Sequence, residues 1–197
     1  MTTTPMRCFG EGDPLYERYH DTEWGRPQTS EQALFEKVCL EGFQAGLAWI
    51  TVLRKRAALR EVFHGFDPEV VAELDTTPLL QDARLIRSAA KLQACVRNAR
   101  ATLALREHGG LPELVWSFRD DRAQPRSWGD VPATTAGSVQ LAKTLKKAGF
   151  VFVGPTTTYS LMQACGLVND HLATCPVRDE VEQQRQRAPR QQGRPAG

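Results

Sequence analysis

The chain reads as a succession of short amphipathic helices. Leu34, Val38 and Ala45 recur at helical spacing behind Thr29 and Gln32, a pair with capping-box separation, and predict a helix there. From Arg84 to Leu105 the period is regular. Leu85, Ala89, Leu92, Val96, Ala99 and Leu103 share one face, while Arg84, Arg87 and Lys91 form a basic edge on another. Pro68 after Asp67 and Pro78 after Thr77 mark starts of short helices. Residues 119–136 form the longest loop-like stretch, and periodicity resumes over Gly137–Ala148, with Leu141 and Leu145 inward and Lys143, Lys146 and Lys147 outward. Two β-like runs, residues 49–53 and 150–153, find no regular set of partner strands. Both are read as buried pieces of an all-α domain.

Composition bounds what these helices can be. A chain of 197 residues with 41% hydrophobic content supports one domain with a real core. It holds no run of 18 apolar residues to span a membrane and no secretory-type apolar stretch near Met1, so the expectation is a cytoplasmic protein. The formal charge of +2 excludes a globally basic nucleic-acid binder. That whole excess falls in residues 177–197, a stretch rich in Arg, Gln, Pro and Gly that is expected to be a disordered tail. Residues 1–176, formally neutral, are expected to be a single helical domain.

Within that domain one polar residue sits on an apolar stripe. Glu41 falls between Val38 and Ala45, on the face that should be buried, where an unpaired carboxylate is costly and acquires a raised pKa. It either pairs with an arginine or belongs to a site, and the pattern alone leaves both open. Gly42 and Gly46 nearby weaken a helix and permit close approach to the backbone. Upstream, Tyr16, Tyr19 and Trp24 cluster within nine positions. Such a cluster is either core or, together with Glu41 and Trp49, a pocket for a flat, electron-poor ring.

The five cysteines form no CxxC pair, and their odd number argues against a disulfide framework. Cys39, Cys95 and Cys165 lie in apolar helical patterns as buried thiols. Cys8 and Cys175 do not: His20 follows Cys8 by 12 positions, and Cys175 follows His171 by four. Four such ligands suit tetrahedral zinc with no position open for water, although separated Cys and His residues are common without a metal. Near the C-terminal end, residues 144–171 read as helix, glycine-bounded turn and helix. Gly149 suits the C′ position of the first helix and Pro155 the first turn of the second. Exposed N–H groups with Thr156–Thr158 and the nearby lysines could hold phosphate, or the segment is an ordinary helical hairpin.

Three segments, residues 7–27, 34–56 and 146–175, together resemble the bacterial DNA-3-methyladenine glycosylase I (Tag) family in order and spacing. The resemblance covers about Cys8 to Cys175. It implies a helix-hairpin-helix DNA glycosylase fold, with one structural Zn2+ per chain tying the N- and C-terminal segments through Cys8, His20, His171 and Cys175. Glu41 matches the carboxylate that hydrogen-bonds the flipped base, Trp49 the stacking tryptophan, and Tyr16, Tyr19 and Trp24 further pocket positions. Gly46 and Leu47 match the turn that plugs the gap in the duplex. Lys143, Lys146, Lys147, Gly149 and Gly154 then become the DNA-contacting set. The implied activity is monofunctional hydrolytic release of 3-methyladenine from alkylated double-stranded DNA by a monomer. The chain departs from the family at Cys8-Phe9-Gly10, where a tryptophan is common, and in residues 86–91, which are less basic. Asp170 lies near the place of the aspartate used by other members of the superfamily, and it is not assigned that role. Two competing classes remain on this reading: a non-catalytic DNA-damage binder of the same fold, and a zinc hydrolase, which would need an open coordination position.

Overall fold

Side chains set where the helices begin. Asp13 accepts from the N–H groups of Leu15 (3.0 Å) and Tyr16 (3.2 Å), and Pro14 opens α1 (Pro14–Thr22). The next helix, α2 (Glu31–Gln44), is capped by Ser30, whose hydroxyl accepts from Ala33 N–H at 3.3 Å. The cap therefore lies one residue beyond Thr29, and Gln32 is used elsewhere, donating to the Gly65 carbonyl. A turn at 45–48 leads into α3 (Trp49–Val62), so the first β-like run is helical. Asp67 and Pro68 open α4 (Pro68–Ala72), and Pro78 opens a 3-10 turn, as their spacing predicts. There follow α5 (Ala89–Leu105), α6 (Gly110–Trp116), α7 (Ala136–Lys147), α8 (Pro155–Ala164) and α9 (Arg178–Arg187). The computed structural model describes residues 6–188, and among these it contains nine α-helices and no strand.

α2 is the axis of the molecule. It packs against α3, α5, α6 and α8, and every residue from Leu34 to Phe43 is buried. A helix enclosed on all sides has no solvent face, so the stripe holding Leu34, Val38 and Glu41 is only part of its buried surface. Glu36 and Lys37, off that stripe, are buried as well and are neutralised by ion pairs with neighbouring elements. Ala45, predicted to continue the stripe, lies beyond the helix and is exposed.

Three sequence expectations are corrected here. The helix expected from Arg84 begins at Ala89, because Asp82 accepts from Arg84 N–H at 2.8 Å and holds a local turn. Its basic edge is dispersed. Lys91 donates to the carbonyls of Phe43 (2.9 Å) and Ala45 (2.6 Å), neutralising the C-terminal end of α2, and Arg84 is paired with Asp82 and Glu61. Finally, the segment expected to be a disordered tail from residue 177 contributes α9. Val181 is fully buried there, and the Arg185 guanidinium donates to the carbonyls of Gly166, Asp120 and Leu167. That buried valine and that arginine, with Glu180 paired to Arg26 and Glu182 accepting from Asn169 and Gln124, hold a helix whose composition alone argues for disorder. Residues 189–197 of that expected tail lie outside the described residues.

Candidate active site and metal centre

Glu41, in the last turn of α2, is only 4% exposed, and its Oε2 has no hydrogen-bond partner. Burial pushes its carboxyl up to about 8, with the Lys37 ammonium one turn earlier opposing that rise. The side chain lines a cavity of about 240 Å³ whose walls are aromatic: Phe9, Tyr16, Tyr19, Trp24, Trp49 and Trp128, with Gln44, Ser160 and Gln163 among them. That volume lies below the ~300–1,000 Å³ of drug-sized ligand pockets and suits a single nucleobase. Trp49, at the start of α3, brings a second orphan, since its indole N–H is buried without a partner. The pocket thus offers flat rings, one unpartnered acceptor and one unpartnered donor. The rings brace one another, with Tyr19 and Trp49 centroids 5.2 Å apart and Phe9 packed on Tyr16 at 4.9 Å and Trp24 at 5.0 Å.

The same carboxylate also lines an open groove of about 250 Å³ that crosses Ala45, Gly46 and Leu47 to Thr156, Thr157 and Ser160 of α8. Gly46 takes φ +77° with open space around its Cβ position, so glycine is required there by backbone conformation and not by crowding. Leu47 beside it is an exposed apolar side chain. Across the groove, Gly149 ends α7 in a Schellman turn, with φ +100° and N–H bonds from Phe150 to Leu145 O and from Gly149 to Lys146 O. Gly154 caps α8 beside open space. α5 fixes the connector between the two helices. Asn98 grips both backbone groups of Val151, at 2.8 and 3.2 Å, and Arg97 donates to Gly149 O. Gly42 lets this connector approach α2, since a Cβ there would lie 3.3 Å from that of Phe152. Lys143, Lys146 and Lys147 stand exposed on α7 with no carboxylate partner among the described residues. Thr158, grouped with Thr156 and Thr157 as a hydroxyl donor, is instead turned inward and buried.

The second constellation is the quartet Cys8, His20, His171 and Cys175. All four are buried, and their ligand atoms lie within 4.8 Å of one another. His171 Nδ1 is 3.2 Å from Cys175 Sγ and 3.7 Å from Cys8 Sγ, and Cys175 Sγ is 3.5 Å from His20 Nε2. Zinc bond lengths give tetrahedral edges of about 3.3–3.8 Å, so the donor set fits such an ion. Its outer partners fit as well. His20 Nδ1 is 2.8 Å from Asp21 Oδ1, and His171 Nε2 is 3.1 Å from the Trp24 carbonyl. Each contact uses the outer ring nitrogen as donor and leaves the other nitrogen as an acceptor toward the quartet, where His20 Nε2 accepts from the Cys8 N–H at 3.2 Å. Cys8, then His171 and His20, hold the Cys175 thiol well below the ordinary range, which favours a thiolate there. Trp24 links the two constellations, with its carbonyl on His171 and its side chain in the pocket wall.

Residues 9–179 match the family model described as methyladenine glycosylase. This chain belongs to the methyladenine glycosylase family. The DNA-3-methyladenine glycosylase 1 of Escherichia coli (strain K12) is 51% identical to it over 170 residues, 83% of this chain and 91% of the relative. The DNA-3-methyladenine glycosylase of Haemophilus influenzae is 48% identical over 186 residues, covering 90% and 99%. A crystal structure of 3-methyladenine DNA glycosylase I superposes with a TM-score of 0.83 at 50% identity over 87% of this chain and 98% of that one. A Staphylococcus aureus 3-methyladenine DNA glycosylase I, solved for the structural basis of 3-methyladenine recognition, gives 0.84 at 34% identity over 89% and 98%.

In this methyladenine glycosylase several pocket residues were not singled out by the sequence. Phe9, noted in the sequence only as a departure from the family beside Cys8, lies in the pocket wall. Ser160 and Gln163 lie on the inner face of α8 at i, i+3, a spacing that would have shown them beside any pocket there. Trp128 has no periodic signal, because it arrives from the long loop between α6 and α7. Asp170 does not line the pocket. It is buried and accepts from Tyr159 Oη and Gln163 Nε2.

Proposed function

We propose that this chain is a monofunctional base-excision repair enzyme that flips 3-methyladenine from alkylated double-stranded DNA and hydrolyses its N-glycosidic bond. The observation that carries the reading is the Glu41 carboxylate, with an unpartnered oxygen inside an aromatic pocket the size of one base. Relatives named for this activity, and a neighbouring structure in complex with 3-methyladenine, support the substrate.

3-Methyladenine joined to deoxyribose is a cation. The C–N bond breaks with its electron pair passing to the ring, and the base departs neutral without a proton from the enzyme. Water adds to C1′ of the sugar and gives up its proton to solvent. The demands on the protein are to flip the base, recognise it and stabilise the developing positive sugar. Glu41 accepts from the exocyclic amine of adenine, whereas guanine presents its O6 acceptor there and is disfavoured. Tyr16, Tyr19, Trp24 and Trp49 supply π faces whose attraction a cationic ring strengthens. The same positive charge lowers the raised pKa of Glu41, so the carboxylate ionises where the substrate lies.

Gly46 and Leu47 enter the gap left by the flipped nucleotide. Gly149 and Gly154 present the helix-hairpin-helix backbone to phosphate, with Lys143, Lys146 and Lys147 beside it. Cys8, His20, His171 and Cys175 would hold one structural Zn2+, which would cross-link the N- and C-terminal segments. The protein acts as a monomer in the cytoplasm. Incubation with methylated DNA, followed by chromatography of the released bases and a strand-cleavage gel, tests the reading. Free 3-methyladenine with intact strands is expected. Retention of damaged DNA without release would make the chain a damage-binding protein and overturn the proposal.

A further inference from the structure

Trp128 does not belong to the core, yet it reaches the pocket. It opens a 3-10 turn, Trp128–Asp130, in the loop between α6 and α7, and is 46% exposed, against 8% for Trp49 on the same cavity. Tyr19, Trp24 and Trp49 are buried on that cavity, Phe9 and Tyr16 half-buried, and Trp128 is its most exposed ring, which sets it on the solvent side at the pocket mouth. Its position is held at both ends. The indole N–H donates to the Cys8 carbonyl at 3.0 Å, and the turn behind it is locked by Asp130 Oδ2, which accepts from the N–H groups of Arg126 and Ser127. Arg122 braces the loop further, donating to Asp130 O and to Tyr159 Oη, a residue of α8. With its polar edge committed to the Cys8 carbonyl, the exposure that Trp128 retains is apolar carbon surface, and covering such surface is favourable.

We infer that Trp128 is a substrate-contacting residue of this site, a preset aromatic wall at the pocket mouth that stacks on the flipped, electron-poor base. The inference rests on the glycosylase reading of the pocket and adds a residue to it. The Cys8 carbonyl gives the wall its register. The indole therefore meets the base already oriented, and little side-chain entropy is lost on binding. An alanine at this position removes the stacking face and leaves the buried floor untouched. A phenylalanine keeps an aromatic face but loses the tether.

The test uses the full-length, metal-loaded chain. Binding of free 3-methyladenine is measured by calorimetry, and base release from methylated DNA is followed under single-turnover and steady-state conditions. Trp128→Ala is expected to weaken binding about tenfold and to lower kcat/KM mainly through KM, with Trp128→Phe in between. Thermal unfolding should change little, because the side chain is half exposed. Equal affinity and equal KM for Trp128→Ala and wild type would overturn the inference while wild-type release leaves the glycosylase reading standing. If wild type neither binds 3-methyladenine nor releases it, that reading itself fails. A large drop in thermal stability with unchanged affinity in the folded fraction would assign Trp128 a structural role and overturn the inference as well.

Discussion

Two sets of buried charge lie within two turns of α2 and are treated in opposite ways. Glu36 and Lys37 belong to a network in which every charge has a partner. Lys37 pairs with Glu23, Arg56 reaches both Glu23 (2.6 Å) and Glu36 (2.7 Å), and Arg60 also binds Glu36 (2.7 Å). Despite the cost of burial, these cations hold Glu36 below the usual carboxylate range and Glu23 down at about 2. One turn further along, Glu41 is as deeply buried, keeps an orphan oxygen, and is pushed up to about 8. The difference separates architecture from function. Burial alone does not mark a site, since Glu36 and Lys37 are nearly as dry, whereas an acceptor left without a donor inside a cavity marks a place for a ligand.

The two sets also respond oppositely to pH. Glu23 has a lowered folded pKa, so its contribution is present above the unfolded value near 4.5 and is lost as pH falls toward 2. Glu41 has a raised folded pKa, so the folded state is favoured below about 4.5 and that advantage is lost as pH rises toward 8.

The contrast can be broken at either end. The largest effect on stability is expected from Glu23→Gln, which strips Lys37 of its carboxylate and leaves Arg56 with Glu36 alone. Loss of one partner of a buried pair costs about 3–5 kcal/mol, and partial exposure of Glu23 reduces this to about 2–3 kcal/mol in urea unfolding. Glu41→Gln should do the reverse. Release of 3-methyladenine falls about 100-fold, or roughly 2.7 kcal/mol in the barrier, with metal content unchanged. Its stability relative to wild type should rise between pH 5 and 8, because glutamine has no proton to lose on unfolding. Lys37→Met joins the two regions. Glu23 keeps Arg56, so the stability cost should be about 1–2 kcal/mol, and the pKa of Glu41 should climb as its opposing charge disappears. The smallest effect lies outside both sets. Combined Lys143→Ala, Lys146→Ala and Lys147→Ala substitution should weaken DNA binding only severalfold near physiological salt and flatten its salt dependence, with folding unaffected.

Much of this arrangement was legible in the sequence. A carboxylate on the Leu34–Val38 stripe, aromatic residues clustered upstream, and two Cys/His pairs at opposite ends of the chain were local signals, and the fold brings each set together. What the sequence hid was decided by neighbours distant along the chain. Glu36 and Lys37 look like solvent-facing residues until α3 and residue 23 supply their counter-ions. Lys91 reads as a basic surface until the end of α2 takes it. α9 is too polar to predict, because its hold is one buried valine and polar groups, Arg185 above all, satisfied by partners distant along the chain. Trp128 sits in a stretch without periodicity, and only closure of the loop onto Cys8 gives it a place. The +2 of the chain was equally uninformative, since most arginines are engaged internally and the free lysines gather on α7.

The account turns on Glu41 being held unpaired for a base that brings its own donor and charge. Site-specific isotope labelling of that carboxyl, titrated by infrared or carbon NMR spectroscopy, tests this directly. The free protein should titrate near 8 at this carboxyl, and the value should fall when 3-methyladenine, whose exocyclic amine donates to the carboxylate, is added. A carboxyl that titrates near 4.5 and does not respond to the base would contradict the account.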